Sequence, residues 1–218
     1  VIAYDMRGHG LSDVPTRGYS IEQHTEDLRA LLDYLGISRA NVCGLSMGGM
    51  IALEFTLRYM TRVNKLMLTG TTADVNYFRE GISEWFLKDT DMVERNRTRA
   101  VTVDDFVSKA YSKEFIESNK PLVERVKERI SSGPYGGYVG SARELFKKPR
   151  WSMVDKLENI KLPTSIFHGS KDAMLPVEAA LKIHEKIKNS ELHIYDSGHA
   201  VNVEKYRQWN ETAIEFLK

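Results

Sequence analysis

The run Gly44-Leu45-Ser46-Met47-Gly48-Gly49 decides how this chain is read. Ala40 to Leu45 before it reads as a short strand, and Met47 to Tyr59 after it as a helix. A serine that must turn a strand straight into a helix is held in strained backbone geometry with its Oγ exposed. Gly44 and Gly48, two residues either side, are expected to let strand and helix approach without a side-chain clash. The Met47 N–H opens the helix and points toward the same spot, where it can stabilise an oxyanion. Taken alone, the pentapeptide is a glycine-rich turn with an incidental serine. The flanking strand, the helix and the partners downstream give it chemical meaning.

Working outward, residues 1–72 alternate apolar runs with helical patterns. Val1 to Tyr4 is predicted as a buried strand ending at Asp5, followed by a loop through Gly8, Gly10 and Pro15. Ser20-Ile21-Glu22-Gln23 fits a capping box, with Gln23 reaching back to Ser20. Ile21, His24, Leu28, Leu31, Leu32 and Leu35 then recur at helical spacing up to Gly36, and Val63 to Leu68 reads as a strand. Residues 73–152 lose the strand signals and read as a mostly helical insertion. In it, Thr102 and Asp105 form an expected cap, Leu122 to Ile130 an expected helix, and Ser131 to Gly137 a break. Alternation returns with a strand at Thr164–Phe167, a helix at Pro176–Ile187, a strand at Leu192–Tyr195 and a terminal helix at Asn202–Leu217. This predicts an α/β fold: a mostly parallel sheet flanked by helices. Residues 1–72 and 153–218 form its core, and 73–152 a helical cap.

A serine nucleophile needs a base, and there are six histidines. His24 and His184 sit inside helical patterns, His193 lies within a strand, and His9 belongs to the Arg7-Gly8-His9-Gly10 turn. His168 ends a strand and reads as a packing residue at the cleft. His199 follows a strand through Asp196-Ser197-Gly198, at the carboxyl end where α/β sites lie, and is the expected base. Asp172, on the loop after the strand ending at His168, is the expected orienting carboxylate. Asp74 is its competitor, and Asp196 lies too close to its strand end. The catalytic set is therefore Ser46, Asp172 and His199 in the chain order Ser…Asp…His, with Met47 supplying an oxyanion N–H.

Composition narrows the classes. In 218 residues, 31 Lys and Arg against 30 Asp and Glu give a formal charge of +1, without a basic footprint for nucleic acid. No apolar run approaches the roughly 18 residues of a membrane span. Cys43 is the single cysteine, which excludes an intrachain disulfide and fits a reducing, cytoplasmic setting. It is expected to pack as a small buried apolar group. There is no phosphate loop or H-E-x-x-H helix, Gly8-His9-Gly10 is too short for a dinucleotide fingerprint, and no metal or organic cofactor is implied.

Taken together, these motifs resemble the α/β-hydrolase superfamily. Asp5-Met6-Arg7-Gly8-His9-Gly10-Leu11-Ser12-Asp13 is similar to the D-x-R-G-H-G-x-S loop after that family's fourth strand, and Gly44–Gly49 to its nucleophile elbow. His168-Gly169-Ser170-Lys171-Asp172 is similar to its acid loop, and Ser197-Gly198-His199 to its histidine loop. Asp5 to Thr72 also resembles the 3-oxoadipate enol-lactonase and esterase-like group. The resemblance places Val1–Asp5 at the fourth strand. The chain thus reads as N-terminally truncated, without three strands, one helix and the loop that gives the second oxyanion N–H. In the family order 1-2-4-3-5-6-7-8 the third strand separates the fourth from the fifth. Either a gap of roughly 9–10 Å then remains beside the strand leading to Ser46, or Val1–Asp5 slides over and pairs with it. A bare apolar sheet face, open to self-association, is also expected.

The implied activity is cleavage of a small carboxylic ester or lactone through an acyl-enzyme, with no role for nucleic acid or membrane. The alternatives are a non-catalytic small-ligand receptor on the same fold, or a cofactor-free perhydrolase or haloperoxidase. Tyr77, Phe78, Trp85, Phe86 and Trp151 are candidates either for an acyl pocket or for the insertion's own core.

Overall fold

A computed structural model describes residues 1–146 and 151–218. The chain runs α1 (Ile21–Tyr34), β1 (Ala40–Leu45), α2 (Met47–Arg58) and β2 (Val63–Thr69). Five helices follow: α3 (Ile82–Asn96), α4 (Val103–Ala110), α5 (Lys113–Ser118), α6 (Lys120–Ser132) and α7 (Tyr135–Phe146). It closes with β3 (Thr164–Gly169), α8 (Val177–Lys186), β4 (Ser190–Tyr195), α9 (Val201–Glu204) and α10 (Tyr206–Leu217). The four strands pair in the order β1-β2-β3-β4, all parallel, with Gly44 beside Leu68, Leu68 beside Ile166 and Ile166 beside Leu192. This is the expected parallel sheet flanked by helices.

The alternation of side chains along a strand separates the two cores. Leu66, Leu68 and Ile166 join Leu28 and Leu32 of α1, Leu53 and Phe55 of α2, and Ile183 of α8 on one face. Met67 and Phe167, one position out of phase, meet Ala213, Trp209 and Phe216 of α10 on the other. Phe55 and Phe167 are fully buried, and each such side chain stabilises the fold by about 1.5–3 kcal/mol.

The amino-terminal segment corrects an expectation. Val1–Tyr4 forms no strand; all four residues are exposed. Val1, Ile2 and Tyr4 face Asn41, Val42 and Cys43 of β1 across a groove of about 300 Å³. The gap is therefore the outcome observed, and the segment does not slide into the sheet. The following loop holds it away. Arg7 makes paired contacts of 2.5 Å to Asp27 of α1, Leu11 N–H donates to the Asp5 carboxylate at 2.9 Å, and Ser12 Oγ donates to the Asp5 carbonyl at 2.6 Å. Cys43 is corrected with it. It is exposed on the edge strand, because among the described residues no strand pairs with that side of β1.

Two caps also differ. Ser20 accepts from the Gln23 N–H at 3.3 Å, but the Gln23 amide turns to Asp27 instead of back to Ser20. Thr102 precedes α4 without a side-chain cap, and Asp105 bonds Trp85 Nε1 and Lys109. The terminal helical pattern is split at Lys205 into α9 and α10. Helix α7 was not foreseen in the stretch read as a break, which ends after Gly133 and Pro134. Its glycines serve packing: a Cβ on Gly137 would stand 2.1 Å from the Gly8 carbonyl oxygen, and one on Gly140 2.2 Å from the Tyr19 ring. Tertiary contact with the Arg7–Gly10 turn thus outweighs poor helix propensity.

Candidate active site

Ser46 sits between β1 and α2 with φ 52° and ψ −121°, a left-handed φ that costs an L-residue of order 1–3 kcal/mol unless its surroundings impose it. Here they do. Ser46 N–H donates to the Thr69 carbonyl at 2.9 Å, and Thr71 Oγ1 donates to the Ser46 carbonyl at 2.7 Å. A Cβ on Gly44 would lie 2.1 Å from the Gly48 carbonyl oxygen, so Gly44 has the expected role. Gly48 does not: a Cβ there would meet nothing within 4 Å. Gly49 is the second tight position, with Thr71 at 2.6 Å. Met47 is the first residue of α2, and its N–H is among the first-turn donors that a helix leaves without intrahelical partners.

Asp172 lies beyond the end of β3 and is buried. Its Oδ1 accepts from the N–H groups of Met174 and Leu175 at 2.8 and 3.0 Å, and its Oδ2 lies 2.7 Å from His199 Nδ1. Burial opposes ionisation of this carboxyl. The neighbouring His199 charge and hydrogen bond, His168 and the Leu175 N–H outweigh it and hold its pKa below the ordinary carboxylate value. His199 follows β4, and Ser46, Met47 and His199 border one cavity of about 260 Å³. Three loops at the carboxyl ends of β1, β3 and β4 thus bring these residues to one place, as parallel sheets commonly do.

The other titratable groups are otherwise engaged. Asp74 accepts from the Asn76 N–H at 2.7 Å and from Ser152 Oγ at 2.9 Å, and pairs with Ser152 in an isolated antiparallel bridge. Asp196 binds Lys171. His168 is fully buried behind Asp172, with Nε2 3.1 Å from the Leu175 carbonyl, and burial pushes its pKa down. His184 pairs with Ser190, His193 stacks on Phe167, and His24 meets Ser141 within the core. His9 borders the cavity, its Nδ1 3.0 Å from the Arg7 carbonyl. Of the aromatic candidates, Phe78 and Phe86 line the cavity while packing on Phe146. Trp151 joins the sheet core.

Two supporting residues escape a reading by motif. Gly70, at the end of β2, has φ 49°, and a Cβ there would stand 2.8 Å from the His199 carbonyl oxygen. Its only signal is a glycine closing an apolar strand. Glu204 accepts from the Ser112 N–H at 2.8 Å and the Gly198 N–H at 3.0 Å through Oε1, and from Ser112 Oγ at 2.5 Å through Oε2. No local sequence signal foretells it, because Ser112 lies far along the chain and Gly198 reaches it only through the fold of the loop.

Residues 1–206 match the family model described as alpha/beta hydrolase fold. The chain therefore belongs to the α/β-hydrolase family. It is 27% identical to 3-oxoadipate enol-lactonase 2 of Acinetobacter baylyi, over all of this chain and 78% of that protein. Among solved structures, an esterase from Exiguobacterium antarcticum superposes with a TM-score of 0.85 at 26% identity, covering 97% of this chain and 79% of that one. The enol-lactonase from Burkholderia xenovorans superposes with a TM-score of 0.88 over 98% of this chain and 79% of that one; at 24% identity this likeness concerns the fold.

Proposed function

We propose that this chain is a serine hydrolase of carboxylic esters or lactones. Ser46 is the nucleophile, His199 the general base and acid, and Asp172 the group that orients His199. The single observation that carries the reading is the 2.7 Å contact between His199 Nδ1 and a buried Asp172, with His199 and Ser46 on one cavity.

In this mechanism Ser46 Oγ attacks the substrate carbonyl while His199 Nε2 takes its proton. The Asp172 carboxylate accepts from Nδ1–H, fixes the tautomer and stabilises the imidazolium that forms. The carbonyl oxygen becomes an oxyanion facing the Met47 N–H at the start of α2, where the helix dipole adds to the donor. His199 returns the proton to the leaving alkoxide, giving an acyl-enzyme. Water then enters by the same base and releases the acid. In a lactone, the alcohol and acid stay joined in one product. We assign residues 73–152 as a cap over the site, since Phe78, Phe86, Phe106 and Tyr138 from this stretch wall the cavity.

A fluorophosphonate probe tests the nucleophile. Labelling is expected at Ser46, abolished in Ser46→Ala and by substrate competition. A folded wild-type sample that takes up no probe, or is labelled elsewhere, overturns the assignment.

A further inference from the structure

The cavity carries one permanent charge. Its wall is mainly apolar, with Met50, Phe78, Phe86 and Leu145 among its residues, and no aspartate or glutamate lines it among the described residues. Arg99, in the short turn Arg99–Val101 between α3 and α4, also borders it. Its guanidinium carbon lies 3.9 Å from the centre of the Tyr138 ring and 4.8 Å from that of Phe106, so two aromatic faces hold it in place. Among the described residues it makes no hydrogen bond or ion pair, and its Nε is buried without a partner. The Asp89 carboxylate accepts from the Tyr138 hydroxyl at 2.5 Å and acts on Arg99 through its charge, without a direct contact. Burial also holds the pKa of His9, the neighbouring ring on the wall, below its ordinary value. At neutral pH the arginine is then the cavity's cation.

Arg99 is half-buried, and a guanidinium Nε–H buried without an acceptor is costly; part of that cost is recovered when a carboxylate arrives. Arginine suits this use because it stays charged and its N–H groups match a carboxylate in a planar fork. We propose that Arg99 is the anchor for a carboxylate on the substrate. The preferred ester or lactone is then anionic, with its free acid at Arg99, its apolar link along the aromatic wall and its scissile carbonyl at Ser46. This deepens the hydrolase reading and rests on it. Arg99 acts in binding and specificity, away from the reacting atoms.

Two esters of equal length test this: the mono-4-nitrophenyl ester of hexanedioic acid and 4-nitrophenyl hexanoate. They are compared on the wild type, Arg99→Lys and Arg99→Met. The wild type is expected to favour the acid-bearing ester. The ratio of the two kcat/KM values should fall about 10- to 100-fold in Arg99→Met, mostly through KM, with Arg99→Lys between. Binding of free hexanedioate, read by calorimetry, should weaken in the same order without any turnover. An equal ratio in wild type and Arg99→Met overturns the proposal and leaves the hydrolase reading standing. So does an equal loss on both esters in Arg99→Met and Arg99→Lys, which marks the stack as merely structural. Hexanedioate binding that depends on Arg99, in a protein that cleaves neither ester, would keep the anchor and remove the hydrolase reading. Neither turnover nor binding would remove both.

Discussion

Ser46 shows how a strained residue is sustained: its φ of 52° is imposed by bonds to Thr69 and Thr71 and by the absence of a Cβ at Gly44 and Gly49. The strain is distributed over a strand, a helix and the loop after β2, so it is not lost to local relaxation. A different residue-scale effect belongs to His24, which is buried against Ser141 with Nε2 3.2 Å from Oγ. Burial first, then the charge of His9, against an opposing pull from Asp27 and with a lesser push from Arg7, brings its pKa from 6.5 down to about 4. Between these values the unfolded chain binds a proton that the folded chain refuses. The stabilisation tied to neutral His24 is therefore full above pH ~6.5 and is lost as pH falls toward ~4. His24→Gln keeps a polar partner for Ser141 and removes the titration. The wild type's stability advantage over that variant, read from urea midpoints, should shrink steadily from pH 7 to pH 4. A constant difference across that range would refute the account.

Among the elements, the telling contacts join the helical stretch after β2 to the loops of the sheet. Gly137 and Gly140 bring α7 against the Arg7–Gly10 turn and Tyr19, and Glu204 in α9 ties the α4–α5 junction to the loop carrying His199. Ala200 N–H adds a bond of 3.0 Å to the Ala110 carbonyl across the same seam. Glu204 is a positioning residue, and its two oxygens have separable parts. In Glu204→Gln, Oε1 still accepts both N–H groups, and the new amide can donate to Ser112 Oγ. In Glu204→Ala, two buried N–H groups lose their acceptor. The alanine variant should lose about 2–4 kcal/mol in chemical denaturation and at least tenfold in kcat, while the glutamine variant recovers most of both. Equal losses in the two variants would mean that the negative charge matters and the hydrogen-bond geometry does not.

For the molecule as a whole, the sheet is unevenly protected. β2 and β3 each have a strand on both sides, and β3 is buried along its full length. β1 pairs only with β2, shifts register between Ala40 and Val42, and borders the groove beside the exposed amino-terminal segment. Amide exchange is expected to be slowest in β2 and β3, faster in β1 and fastest in residues 1–4. The exposed Cys43 should react with a thiol reagent without global unfolding. Slow exchange throughout residues 1–4 would show that this segment is paired in solution.

Much of this was legible in the sequence because it depends on contacts near in the chain. Periodicity marked β1 to β4 and most of the helices, and the helix-opening Ser20 follows from its own side chain. The strand-end positions picked out Asp172 and His199, which meet, and the G-x-S-x-G context picked out Ser46, which shares a cavity with His199. What the sequence left open was decided by close approach. Gly49 does the work expected of Gly48 because Thr71 lies against it, and Gly70 is required because the His199 carbonyl passes beside it. Helix α7 forms over glycines because Gly8 and Tyr19 leave no room for larger side chains. Val1–Tyr4 stays out of the sheet, although its apolar run reads as a strand, because a strand needs a partner's N–H and C=O groups within reach and the groove beside β1 places none there. Chain-local preference set the elements and the candidate site residues; the tertiary structure set which gaps between them are closed.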